Sequence, residues 1–177
     1  MNIEQAARED HWENIVSLME SSVVAFEKMV HHICTLSLED PLVNVLIAFK
    51  KTSLAVDVVG VIEDTKVLEK ENFKGDTALH VAASMENITV ARALLDRNPK
   101  LIFKTNSFNE TPLHKAALNG HSDIFWELVV RGSDVLARRK DGTTILHCAV
   151  IENQFGILLA THKKSTLLIG FPSFLQT

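Results

Sequence analysis

A chain of 177 residues with 46% apolar and 23% charged residues is long enough for one domain or one short repeat array. With only 7 Gly and 4 Pro it is neither collagen-like nor low in complexity, and with no Tyr it offers little for base-stacking platforms. The formal charge of −4 is concentrated in the first 71 residues, where 13 Asp and Glu face 6 Lys and Arg, so neither half is the basic surface that nucleic-acid phosphates require.

The N-terminus is acidic, and no apolar run there precedes a small-residue cleavage site, so no secretory signal is read. Ala6-Ala7-Arg8-Glu9-Asp10-His11 parallels Ala116-Ala117-Leu118-Asn119-Gly120-His121. Ile15, Leu18 and Met19 then fall where Phe125, Leu128 and Val129 do, as in a helix pair whose leading turn is missing. His31-His32 is not read as a metal site, because adjacent residues of a helix point apart and no third ligand has suitable spacing. Pro41 to Ile62 is apolar but carries Lys50, Lys51 and Asp57. It suits two core helices with Lys50-Lys51 at the turn better than a membrane-surface helix. Asp40-Pro41-Leu42-Val43 opens a second degenerate unit, with Pro41 set against Ala78, 37 residues on. The alternative for 20–70 is an irregular helical segment packed on the first regular unit.

Three regular units follow over 72–161. Thr77-Ala78-Leu79-His80, Thr111-Pro112-Leu113-His114 and Thr144-Ile145-Leu146-His147 place their histidines 34 and then 33 residues apart. Each is preceded by a turn signal: Lys74-Gly75-Asp76, Phe108-Asn109-Glu110 and Lys140-Asp141-Gly142-Thr143. Thr caps the helix that follows, and Pro112 fits its first turn. After the breaks Glu86-Asn87, Asn119-Gly120-His121 and Asn153-Gln154 a second apolar helix begins. Val90, Ala91, Leu94 and Leu95 form it in the first unit, and Ile124, Phe125, Leu128 and Val129 in the second.

These units resemble ankyrin repeats, with a period near 33 and the T-P-L-H-x-A signature. The resemblance implies an all-α solenoid of stacked helix pairs with β-turn tips, in which Thr77, Leu79, His80, Thr111, Pro112, Leu113, His114, Thr144, Leu146 and His147 are structural. The turn runs, the loop Asn98-Pro99-Lys100-Leu101-Ile102 and the phrase Thr144-Ile145-Leu146-His147-Cys148-Ala149-Val150 are similar to the plant ankyrin membrane proteins. That family carries cytosolic repeats before a C-terminal membrane domain and is tied to defence and salt-stress signalling. The organisation expected is therefore 1–71 as degenerate repeats, 72–161 as three regular repeats, and 162–177 as a divergent tail that folds back to cap the third.

No catalytic or metal site and no cofactor is expected. Equivalent histidines of stacked units lie about 10 Å apart, too far to share a zinc ion, and are read as hydrogen-bonding the turns between repeats. His121-Ser122-Asp123 is a helix start rather than a triad, since contiguous residues cannot meet as one. Arg138-Arg139-Lys140 reads as a solvated loop. Cys34 and Cys148 read as buried thiols suited to a reducing, cytoplasmic setting. The function expected is a protein-binding scaffold, monomeric, with no nucleic-acid partner and no transmembrane segment. The partner-binding face is placed on Phe73, Lys74, Asp76, Ser84 and Met85; then Ser107, Phe108, Glu110, Lys115, Leu118 and Asn119; then Lys140, Asp141, Thr143, Ile151 and Glu152. Met85, Leu118 and Ile151 are expected to form an apolar stripe with Phe73 and Phe108 either beside it or packed on neighbouring turns.

Overall fold

A computed structural model describes residues 41–151. The expectations for the segments before Pro41 and after Ile151, including Glu152 and the tail cap, lie outside the described residues. Helices α1 (Leu42–Ala48), α3 (Ala78–Ser84), α5 (Pro112–Asn119) and α7 (Ile145–Ile151) stack side by side as an inner layer. Helices α2 (Thr52–Val61), α4 (Ile88–Arg97) and α6 (Ser122–Val130) form the outer layer, each antiparallel to the inner helix it follows. Short 3-10 segments, Thr65–Glu69 and Pro99–Phe103, lead out of α2 and α4. The architecture is an all-α repeat solenoid.

Both layers follow from the apolar spacing. In the inner layer, small residues let the backbones approach: Ala82, Ala83, Ala116, Ala117 and Ala149 are fully enclosed. Between the layers, Leu79, Leu94, Leu113, Phe125 and Leu128 bury their side chains almost completely. Burying one such side chain stabilises by about 1.5–3 kcal/mol, and a lone helix pair would leave half of them exposed.

The turn inside each helix pair needs one residue with positive φ. That residue is Lys50 (φ 58°), Glu86 (φ 56°) and Gly120 (φ 74°) in successive pairs. Only the third uses the residue type that adopts this conformation without steric cost. These positions also settle the register of the pair over 41–62. Lys50 is 36 residues before Glu86, so Pro41 aligns with Thr77 and not with Ala78, as the proline at the start of α5 had suggested. Pro41 stands at the N-cap, and the helix starts at Leu42.

The turns before α3, α5 and α7 form a row of tips. Within each, the first residue donates its N–H to the carbonyl four residues on: Asn72 to Asp76, Asn106 to Glu110 and Arg139 to Thr143. The tips are joined to one another by backbone bonds, Ser107 N–H to the Lys74 carbonyl (3.1 Å) and Lys140 N–H to the Phe108 carbonyl (3.0 Å). This approach leaves no room at Gly75, where a Cβ would stand 2.6 Å from the Ser107 nitrogen, whereas nothing lies within 4 Å of one at Gly142. Both glycines have positive φ. Gly142→Ala should cost about 1 kcal/mol, the backbone strain alone, and Gly75→Ala about 2–4 kcal/mol, because the two tips must also separate. Urea denaturation of the two variants checks the difference; equal losses would mean that the tips are not in contact.

Candidate interaction surface

The histidines work as latches. His80 Nδ1 accepts from the Thr77 N–H (3.2 Å) and pairs with its hydroxyl (2.9 Å), while Nε2 donates to the Glu110 carbonyl in the next tip (2.9 Å). One imidazole thus closes its own helix start and ties it to the following repeat. His114 repeats the first half with Thr111 (3.1 and 2.9 Å), but its buried Nε2 meets only the Ala137 carbonyl, without the geometry of a full hydrogen bond. His147 pairs with the Thr144 hydroxyl (2.6 Å) and stays exposed, as does Leu146, because no described element packs on that face of α7. At the opposite end Asn44 occupies the histidine position. Its amide donates to the Asp76 carbonyl (3.2 Å), as His80 does to that of Glu110. Its Oδ1 is buried and unpartnered, because Pro41 supplies neither the N–H nor the hydroxyl that Thr77 offers His80.

Beneath the tips lies a chain of charges that spans three repeats. Asn106 donates to Asp76 Oδ1 (2.7 Å) and Glu110 Oε2 (2.8 Å). The Lys115 ammonium lies 3.3 Å from Asp76 Oδ2 and 3.0 Å from Glu110 Oε2. Arg139 Nε makes an ionic contact with Glu110 Oε1 at 3.1 Å. Asp76 and Glu110 are only 6% and 3% exposed. This corrects their assignment, and that of Lys115, to a partner-facing surface: a carboxylate at these depths needs its countercharge from the next repeat. Arg139 is half-buried by its contact with Glu110, whereas Arg138 and Lys140 beside it are exposed.

Asn72 and Asn106 were not singled out from the sequence, yet each shapes its tip, accepting at Oδ1 from the backbone N–H groups two and four residues on (all 2.9 Å). Their recurrence at 34 residues, five before each capping threonine, is the signal that would have found them. In the third tip Arg139 takes this place, and Asp141 Oδ1 accepts from Thr143 N–H instead (2.9 Å).

Of the remaining surface positions, Phe73 and Phe108 are 76% and 52% exposed and do not fold back onto their turns; Lys74 Nζ sits 5.4 Å from the Phe73 ring centroid. Ser107, Lys140 and Asp141 are exposed beside them, with Thr143 half-buried. Along the inner helices the surface is less open. Ser84 bonds to the Val81 carbonyl, Asn119 to that of Lys115, and Leu118 packs against the core. Met85 is exposed, but the 34-residue offset that sets His80 on His114 sets Met85 on Asn119, and Ser84 on Leu118. Met85 and Leu118 are therefore staggered by one residue, about 100° around a helix, and do not form the straight stripe expected. Ile151 is the last described residue. Among the described residues no cluster of His, Cys, Asp or Glu could hold a metal ion, and no helix is long and apolar enough to cross a membrane. Cys148 is buried.

Burial lowers the pKa of His80 and His114, with nearby carboxylates and carbonyls opposing it only in part. At Glu110 burial raises the carboxyl, but Asn106, Lys115 and Arg139 outweigh it and hold the group below its ordinary range. A histidine depressed in the folded state contributes stability that is complete above its unfolded pKa of 6.5 and is lost as pH falls toward the folded value. Protonation also places a hydrogen on Nδ1, against the Thr77 N–H. Thermal stability should therefore be level from about pH 8 to 7, fall below about pH 6.5, and fall again below about pH 4.5 as Glu110 titrates. In His80→Asn/His114→Asn, which copies Asn44, melting at neutral pH should be lower and its change between about pH 7 and 5.5 much smaller; an unaltered acid profile would remove the latches as its cause. Pro41→Thr should add about 1 kcal/mol in urea denaturation by giving Asn44 Oδ1 its donors, and no gain would mean that this atom is satisfied in solution.

The family model for ankyrin repeats (three copies) matches residues 5–139 and 100–164. Among curated relatives, alpha-latrotoxin-Lhe1a of Latrodectus hesperus is 38% identical over 84 residues, 47% of this chain and 6% of that protein. Protein ACCELERATED CELL DEATH 6 of Arabidopsis thaliana is 30% identical over 91 residues, 43% of this chain and 14% of that protein. The nuclear factor NF-kappa-B p105 subunit of Rattus norvegicus is 28% identical over 137 residues, 73% of this chain and 14% of that protein. The chain thus spans a small fraction of the length of these relatives, which come from a spider, a plant and a mammal.

Proposed function

The chain belongs to the ankyrin-repeat family, and we propose that it is a non-catalytic scaffold that binds a partner protein through its tip row. The observation that carries this reading is the exposure of Phe73 and Phe108, at 76% and 52%, on tips that backbone hydrogen bonds hold in place. Large apolar side chains on a preordered frame lose little entropy on binding and are the usual anchors of an interface. Lys74, Ser107, Lys140 and Asp141 make the polar rim, with Met85, Ser84, Leu118, Asn119 and Thr143 as the flank toward the inner helices.

The finer reading places this scaffold in the cytoplasm, in plant stress or defence signalling. The 30% identity to the Arabidopsis protein and the loop Asn98–Ile102 support it. A second reading, supported by the same likeness, is a soluble truncated form of the cytosolic regulatory domain of a plant ankyrin membrane protein. A mass-spectrometric search of the source tissue for a longer product containing these peptides separates the two.

Affinity capture from plant cytosol and membrane extracts tests the scaffold itself. Phe73→Glu/Phe108→Glu should lose most of the captured protein, while Val130→Glu, at the end of outer helix α6, should retain it, with all three proteins equally helical by circular dichroism. The same partners at the same yield on the tip variant would place binding elsewhere.

A further inference from the structure

Inner helix α7 carries a face that its two predecessors bury. Leu146 and Val150, four residues apart on one side of the helix, are 47% and 55% exposed, and His147 beside them is exposed as well. The 33-residue offset that sets His114 on His147 sets Leu113 on Leu146 and Ala117 on Val150. All three are fully enclosed in α5, as Leu79, His80 and Ala83 are in α3. The latch on this face is half made. Thr144 holds His147 Nδ1 at 2.6 Å, but Nε2, the nitrogen that ties His80 to the next tip, bonds to no described residue. The face is therefore built as a joint between units rather than as finished surface. Val150 takes the place of the alanine that lets neighbouring inner helices approach, so separate apolar side chains fit here better than a fourth inner helix.

We propose that the chain's own segment 167–175 docks on this face, with Phe171 and Phe174 against Leu146 and Val150. Residues 165–177 hold six large apolar side chains (Leu167, Leu168, Ile169, Phe171, Phe174 and Leu175) and no charged one, and they lie past residue 164, where the ankyrin-repeat match ends. They cannot build a fourth regular tip. At the same offset Pro172 stands on Arg139, whose N–H closes the third tip on Thr143, and Leu175 stands on Gly142, which has φ 81°. Proline has no N–H to donate, and leucine is strained at positive φ. An apolar run that no repeat consumes gains most by covering apolar surface, and α7 offers such a surface nearby in the chain. The 16 residues from Ile151 to Leu167 reach up to about 50 Å when extended, several times the roughly 10 Å between packed elements. That tether holds the segment at an effective concentration of about millimolar, which favours it over the same segment of a second copy. Docked there, it closes the array without adding a unit.

Methyl NMR on the full chain tests this. Nuclear Overhauser contacts should join the Leu146 and Val150 methyls to the Phe171 and Phe174 rings, and they should persist when labelled chain is diluted into unlabelled chain. In Phe171→Ser/Phe174→Ser, hydrogen exchange of the α7 amides should quicken about tenfold or more while that of α3 stays as it is. Leu146→Ser/Val150→Ser should in turn speed exchange across 167–175, whereas Phe103→Ser, at a 63% exposed position on the connector after α4, should not. Ring contacts to another element instead of α7, α7 exchange that ignores the tail variant, or an equal effect of Phe103→Ser would each overturn the proposal. So would contacts seen only between differently labelled chains, which would put a second copy's segment on the face. Should the α7 variant fail to fold, the contacts in the unaltered chain still decide.

Discussion

A neutral imidazole hydrogen-bonded at both nitrogens is what the rest of this array depends on. His80 joins its own helix start to the carbonyl of Glu110, and that carbonyl also accepts the Asn106 N–H that closes the second tip. One buried group therefore fixes the start of α3, the shape of the following turn and the distance between two repeats. The device changes along the chain. Asn44 keeps the inter-repeat bond and lacks the cap, His80 has both, and His114 keeps the cap with only a loose contact from Nε2 to the Ala137 carbonyl. Since each buried polar atom left unpaired costs about 1–3 kcal/mol, the joints are not of equal strength.

The charged groups divide into two populations with different consequences. On the outer face Arg92, Glu127, Arg131 and Asp96 form a run of pairs at 2.7–2.8 Å around a half-buried Glu127, with Arg92 and Asp96 largely open to solvent, so the run is screened and of little net worth. Under the tips the carboxylates of Asp76 and Glu110 are buried, with partly exposed Lys115 and Arg139 at 3.0–3.3 Å from them. There the pairing chiefly prevents the loss that an unpaired buried charge would bring. The same residue types thus decorate one face and dictate the spacing of repeats on the other.

Much of this was legible in the sequence. The histidine period, the glycine and asparagine turns and the apolar pairs Val90/Leu94 and Ile124/Leu128 report local constraints, and local constraints leave their mark on neighbouring residues. What was not legible depends on the next repeat. Nothing beside Asp76 or Glu110 in the chain shows that Asn106 and Lys115 will enclose them, so they read as exposed turn charges. The unit over 41–62 was set one residue out of step, because Pro112 occupies the first helical position while Pro41 occupies the cap before it. The same one-residue error, applied to Met85 and Leu118, drew a stripe that the helices do not form.

The spans of the contacts between repeats are themselves informative. Among the described residues, the side-chain hydrogen bonds that join neighbouring helix pairs connect positions 29 to 37 apart, from Asn98 with Glu69 to His121 with Ser84. Closing a loop of that size has nearly the same entropic cost at each joint, since the cost grows only with the logarithm of loop length. No joint has to wait for a distant part of the chain, so contact order stays low however many units are stacked. Folding can begin wherever the local latch is best and spread in both directions. The joint between α3 and α5, where the His80 latch is complete, is where such a nucleus would form.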